Sequence, residues 1–273
     1  MPELPEVETT RLGISPHLIG HQIREIILRR RDLRWPVPQN LTELEGTTFV
    51  SVKRRSKYLL LETDTQDVIL IHLGMSGSLR MIHPGEDWKK HDHIGITVGN
   101  NLQLRYHDPR RFGSVMRMAA SEIRTHSLLT NLGPEPLESD FTAAHLYAAL
   151  RNKSIPVKVA IMDAKIVVGV GNIYASESLF RSGIHPLIES NKLTKPRAQK
   201  LVSAIREVLT ESISQGGTTL RDFLKSDGEP GYFKQCLFVY DRKGEPCRVC
   251  KTPISHKVLG QRATYWCGKC QRR

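Results

Sequence analysis

Ile94-Gly95-Ile96-Thr97-Val98-Gly99-Asn100-Asn101-Leu102-Gln103-Leu104-Arg105-Tyr106 decides the fold of the first half of this chain. Two short apolar runs, the first of them β-branched, flank a Gly-Asn-Asn turn, which is the pattern of paired antiparallel strands. Working outward, the same kind of run recurs at Phe49–Val52, Tyr58–Leu61, Val68–Ile71 and Val115–Met118, with polar turns between. Strands this short and this regularly spaced predict an antiparallel sandwich or barrel. After the turn-rich link Leu132-Gly133-Pro134-Glu135-Pro136-Leu137 the pattern becomes helical. Thr194–Gln215 is its clearest segment. Pro196 sits in the first turn, Ala198, Leu201, Val202, Ile205, Val208, Leu209 and Ile213 make one apolar stripe, and Gly216-Gly217 ends it.

The 273 residues suffice for two domains with cores. Forty Lys+Arg against 28 Asp+Glu give a net charge of +12. The basic residues concentrate at Arg29-Arg30-Arg31, Lys53-Arg54-Arg55, Lys89-Lys90, Arg110-Arg111 and Gln271-Arg272-Arg273, a balance that points to a polyanion such as nucleic acid. The absence of long apolar runs and of a basic-then-apolar leader predicts neither a membrane span nor a secretory signal.

Chemistry concentrates at a few places. Cys247-x2-Cys250-x16-Cys267-x2-Cys270 forms two knuckles able to set four thiolates around one Zn²⁺. With every position filled by Cys, the expected zinc is structural, and Gly260-Gln261-Arg262-Ala263-Thr264 between the knuckles is the expected hairpin tip. Cys236 falls outside the pattern. At the other end, Met1-Pro2-Glu3-Leu4-Pro5-Glu6-Val7-Glu8-Thr9 permits two readings. Pro5 and the acids can open a helix whose apolar face is Val7, Ile14 and Leu18. Removal of Met1 would also free the Pro2 amine as a nucleophile beside the Glu3 carboxyl, since α-amino groups in general titrate at about 8 and are partly unprotonated at neutral pH.

Gly169-Val170-Gly171-Asn172-Ile173-Tyr174 precedes an expected helix over Ala175–Arg181, where backbone N–H groups can meet a phosphate or simply turn the chain. His72–Gly77 and Asp108–Gly113 read as glycine-flanked loops presenting Met75 and Phe112, either core residues or wedges for a base stack. His91-Asp92-His93 lacks a third metal ligand, so polar or phosphate contact is expected of His91. Lys57, beside an apolar strand, is expected to project from a sheet edge.

Pro2–Thr9, His72–Gly77, Asp108–Gly113, Leu132–Leu137, Val168–Tyr174, Ser226–Phe233 and the four-Cys module occur in one order. From end to end the chain resembles the bacterial formamidopyrimidine-DNA glycosylases. The resemblance implies an α+β multidomain protein: an N-terminal antiparallel β-sandwich over 1–132, a helix–two-turn–helix domain over 133–235, and a zinc finger over 236–273. It also implies a monomeric cytoplasmic enzyme that excises oxidised purines from duplex DNA and cuts abasic sites, using one structural zinc and no organic cofactor.

Residue by residue, the resemblance makes Pro2 the nucleophile, Glu3 the general acid, and Lys57 and Arg262 the proton donors for β- and δ-elimination. It makes His91, Arg110 and Lys153 DNA contacts, Arg111 and Asn172 phosphate contacts, and Met75, Arg110 and Phe112 the residues filling the hole left by the flipped base. Gly216–Phe233 matches the loop covering that base. Lys251 departs from the glycine usual in the family after the second zinc cysteine. A left-handed backbone there would cost about 1 kcal/mol. Leu4 and the Gly216–Phe233 loop argue against the related endonuclease VIII type, which prefers oxidised pyrimidines.

Overall fold

The computed structural model describes residues 2–99, 101–217 and 237–273. They divide into two compact units, one containing the described residues up to Thr130 with 215–217, the other 131–214 with 237–273.

The first unit opens on helix α1 (Leu4–Leu18). Glu3 is its N-cap, Pro5 lies in its first turn, and the Glu6 carboxylate reaches back to accept the Glu3 N–H at 2.8 Å. Val7, Ile14 and Leu18 form its buried face, as their spacing predicts. Eight strands follow: β1 (Ile23–Leu28), β2 (Phe49–Arg55), β3 (Tyr58–Thr63), β4 (Asp67–His72), β5 (Ser78–Ile82), β6 (Asp92–Val98), β7 (Leu102–His107) and β8 (Ser114–Ala119). They make two four-stranded antiparallel sheets, ordered β1-β6-β7-β5 and β2-β3-β4-β8. This is a sandwich. One continuous apolar cluster, including Phe49, Leu61, Ile71, Ile96 and Val115, fills it together with the buried face of α1. Each such fully buried side chain contributes on the order of 1.5–3 kcal/mol.

Two strands, β1 and β5, escape the apolar-run pattern. β1 carries Arg24 and Glu25, and β5 carries Arg80, which lies buried against Asp92 of β6 at 2.7 Å. Lys57 lies at the end of the edge strand β2. It occupies the Ser56-Lys57 turn joining β2 to β3, where Ser56 takes a left-handed φ of +56°.

The second unit is helical, with α2 (Ala143–Leu150), the short α3 (Val157–Ala160), α4 (Asn172–Arg181) and α5 (Lys195–Ser214). The stripe read from the sequence buries Ala198, Leu201, Val202, Ile205, Val208 and Leu209. Helix α4 begins at Asn172, three residues before the expected Ala175, because Gly171 is already extended as its N-cap. Strands β9 (Ile254–Leu259) and β10 (Arg262–Cys267) close the chain as a hairpin. Its turn is shorter than the expected Gly260–Thr264. Gly260 and Gln261, both left-handed, suffice; Arg262 already pairs with Leu259, and Thr264 is a buried β10 residue. No described helix is long and apolar enough to cross a membrane.

Candidate functional site

Pro2 is buried two residues before α1, and Glu3 beside it, the extended N-cap, is only 2% exposed. The helix that carries them is fastened to the hairpin that carries Lys57. Glu8 of α1 accepts from Arg54 Nε of β2 at 2.9 Å and from Arg11 at 2.7 Å; Arg54 in turn donates to the Ser56 carbonyl at 2.9 Å. Burial of Glu8 opposes its ionisation, but the two arginines outweigh it and hold the carboxyl below its usual range. Arg54 and Glu8 therefore position the Lys57 turn, a role no local signal marks.

His72 stands opposite Tyr58 on β3, their rings 4.9 Å apart, and its Nδ1 accepts the Gly74 N–H at 3.0 Å. Burial, then the positive charges of Lys57 and Arg34, lower its pKa to about 4, so the imidazole is neutral at physiological pH. The loop after it presents a half-buried Met75. The Asp108–Gly113 loop presents Phe112, 46% exposed, with the Arg110 guanidinium 4.9 Å from its ring centre. Arg111 is left-handed at φ +56° and paired with Asp32.

His91 is half-buried, edge-on to His93 and His107. The two residues after it face inward. His93 Nε2 meets the Asp108 carbonyl at 2.8 Å, while Asp92 binds Arg80, His107 and the Lys89 N–H. Desolvation works against the Asp92 charge, yet those partners bring its pKa to about 2. Among the described residues only the four cysteines gather as candidate metal ligands.

In the second unit Lys153 is half-buried in the loop after α2, its carbonyl accepting the Asn191 N–H at 2.9 Å. Asn172, the first residue of α4, accepts through Oδ1 from the ammonium of Lys158. Lys158, fully buried on α3, also lies 3.4 Å from the Ala263 carbonyl of β10. It links Asn172 to the hairpin bearing the exposed Arg262, and a lysine among apolar neighbours gave no sign of this in sequence. Cys236 and residues 218–233 of the expected covering loop lie outside the described residues.

The Sγ atoms of Cys247, Cys250, Cys267 and Cys270 all fall within 4.8 Å of one another, with Cys250–Cys267 at 3.3 Å and Cys247–Cys270 at 3.9 Å. A Zn–S tetrahedron with bonds of ~2.3 Å has edges of about 3.8 Å, so the cluster fits one structural zinc. Lys251, after the second cysteine, has a φ of +64°, the left-handed conformation its position suggested.

Three family models match the chain: a formamidopyrimidine-DNA glycosylase N-terminal domain over residues 1–115, the H2TH domain of the same enzymes over 132–224, and a zinc finger found in FPG and IleRS over 244–273. A formamidopyrimidine-DNA glycosylase of Xanthomonas oryzae pv. oryzae (strain PXO99A) is 52% identical, with both chains covered completely. The MutM (Fpg) protein of Thermus thermophilus superposes with a TM-score of 0.89 at 36% identity, covering 99% of this chain and 98% of that one. Lactococcus lactis Fpg in complex with N7-benzyl-Fapy-dG DNA gives 0.92 at 32% identity, with both chains fully covered.

Proposed function

The chain belongs to the formamidopyrimidine-DNA glycosylase family, and we propose that it excises oxidised purines through its own N-terminal amine. It is a base-excision-repair DNA glycosylase with lyase activity at abasic sites. Its substrate in this reading is duplex DNA carrying 8-oxoguanine or a formamidopyrimidine, or an abasic site, with the damaged nucleotide turned out of the stack.

Once Met1 is removed, the Pro2 nitrogen attacks C1′ of that nucleotide. The glycosidic bond breaks, the base leaves with the proton shed by the Pro2 amine, and the C1′–O4′ bond of the sugar ring opens to an iminium as O4′ takes up a proton. Glu3 delivers the proton at the sugar. Lys57 serves the following β-elimination and Arg262 the δ-elimination. His91, Lys153, Arg111 and Asn172 hold the DNA backbone, and Met75, Arg110 and Phe112 occupy the vacated place in the stack. Residues 1–132 thus carry the glycosidic chemistry, 133–235 the helix–two-turn–helix grip and 236–273 the zinc finger, in an enzyme acting as a monomer. Zinc, held by Cys247, Cys250, Cys267 and Cys270, orders the hairpin that carries Arg262 and takes no part in bond breaking.

The observation that carries this reading is the burial of Pro2 and Glu3 together at the head of α1, on a helix tied by Glu8 and Arg54 to the Lys57 turn. Borohydride trapping on an 8-oxoguanine duplex tests it. The processed protein should form a covalent adduct, and a form extended before Pro2 should form none while still binding DNA. Glu3→Gln should bind normally and lose about 10²–10⁴-fold in excision. Full trapping by a verified extended form would remove Pro2 from the mechanism.

A further inference from the structure

We propose that Ser76 and Asp108 are positioning residues that lock the Met75 loop and the Arg110–Phe112 loop into one wedge, so that both loops enter the base stack together. This rests on the reading of Met75, Arg110 and Phe112 as the residues that fill the stack. The two loops lie more than thirty residues apart in sequence, and their side-chain tips are only partly covered, yet their bases are fused. Ser76, 1% exposed, donates its hydroxyl proton to Asp108 Oδ1 at 2.6 Å and accepts the Arg110 N–H at 3.1 Å. One oxygen thus grips the facing loop at two points. Asp108, wholly buried, uses Oδ2 to accept the Gly113 N–H at 2.9 Å and the Tyr106 hydroxyl at 3.1 Å, closing its own loop.

Shape reinforces the bonds. A Cβ on Gly74 would overlap the backbone of Phe112 and Gly113, and one on Gly113 would come within 2.6 Å of the His72 carbonyl. Backbone therefore meets backbone where the loops cross. Two independent loops would each lose conformational freedom on insertion, whereas a preassembled pair has already lost it. The energy gained on insertion is then available to offset unstacking of the duplex.

Single-turnover excision of an 8-oxoguanine duplex, measured beside undamaged-duplex affinity and thermal melting, tests the lock. Ser76→Ala should slow excision about five- to tenfold, with undamaged-duplex affinity near wild type and only a modest fall in melting temperature from the lost buried hydrogen bonds. Ser76→Thr, which keeps the hydroxyl, should recover most of the rate. Met75→Ala and Phe112→Ala should be coupled in the wild-type background, the double variant losing less than the product of the singles. In the Ser76→Ala background the losses should simply multiply. Wild-type excision by Ser76→Ala beside an impaired Phe112→Ala would overturn the lock alone. Equal loss of undamaged-duplex affinity would overturn it in favour of a general folding role. Normal excision by both Met75→Ala and Phe112→Ala would overturn the wedge reading and the lock with it.

Discussion

Arg105 in the sandwich is wholly buried, its guanidinium bonded to Gln103, to the Glu86 and Asp87 carbonyls and to Asp92, and stacked 3.9 Å from the Trp88 ring centre. Arg262 on the terminal hairpin is exposed, on two strands whose small apolar cluster buries only Phe180, Val239, Ile254 and two of the zinc cysteines, with Phe238, Tyr265 and the other two cysteines partly covered against it. In the first region a large core makes the interior dry, so buried hydrogen bonds can hold side chains in place. In the second there is too little apolar surface for that, and a metal must supply the missing order. Functional groups are positioned by their surroundings in one region and by coordination chemistry in the other.

Metal removal should separate the two regions most sharply. Structural zinc contributes on the order of 10 kcal/mol in small fingers, so chelation or Cys250→Ser should abolish amide protection in β9 and β10 and cost at least about tenfold in DNA affinity. Protection in β2–β8 should survive. Hydrogen exchange with zinc quantification reads both, and simultaneous loss in the sandwich would break the comparison.

A smaller effect distinguishes exposed charge from an inserted ring within the sandwich itself. Arg111→Ala should weaken lesion and undamaged duplexes alike and reduce the salt slope by about 1. Phe112→Ala should leave that slope unchanged and harm excision more than binding. Identical behaviour of the two variants would return Phe112 to a packing role.

The smallest effect lies in the knuckle. Lys251→Gly relieves a left-handed φ of +64° and should stabilise the hairpin by about 1 kcal/mol, seen as slower zinc release to a chelator. Faster release would show that Lys251 contributes contacts that exceed its strain.

What the sequence revealed follows the same division. Zinc ligands with two residues between them are a local signal, so the metal site is legible from spacing, while the left-handed strain at Lys251 is legible only through the family resemblance. Strands β2, β3, β4, β6, β7 and β8 announce themselves as apolar runs, and α5 by its stripe. β1 and β5 do not, since Arg24, Glu25 and Arg80 interrupt them, and the acid that neutralises Arg80 sits on another strand. The same limit hid Glu8–Arg54 and Lys158–Asn172: a charged residue reads as surface until its distant partner is known. Glu177 is the extreme case, fully buried on α4 and accepting the N–H groups of Phe238, Val239 and Tyr240 at 2.8–3.0 Å, with burial still raising its pKa.

Glu177 holds only the entrance to the zinc hairpin. The exit is stitched as well: Gln271 Nε2 donates to the Ile184 carbonyl at 2.9 Å, Arg272 N–H to Gly183 at 3.0 Å, and the His185 N–H returns to Arg272 at 3.1 Å. Both ends of the metal-binding segment are thus leashed, one to the middle of α4 and the other to the residues just after it. An emptied knuckle is a tethered loop, its ends already brought together, so its thiols stay at high local concentration around the vacancy. Zinc loss should therefore be a repairable injury, and reloading should follow the supply of metal rather than a search by the chain.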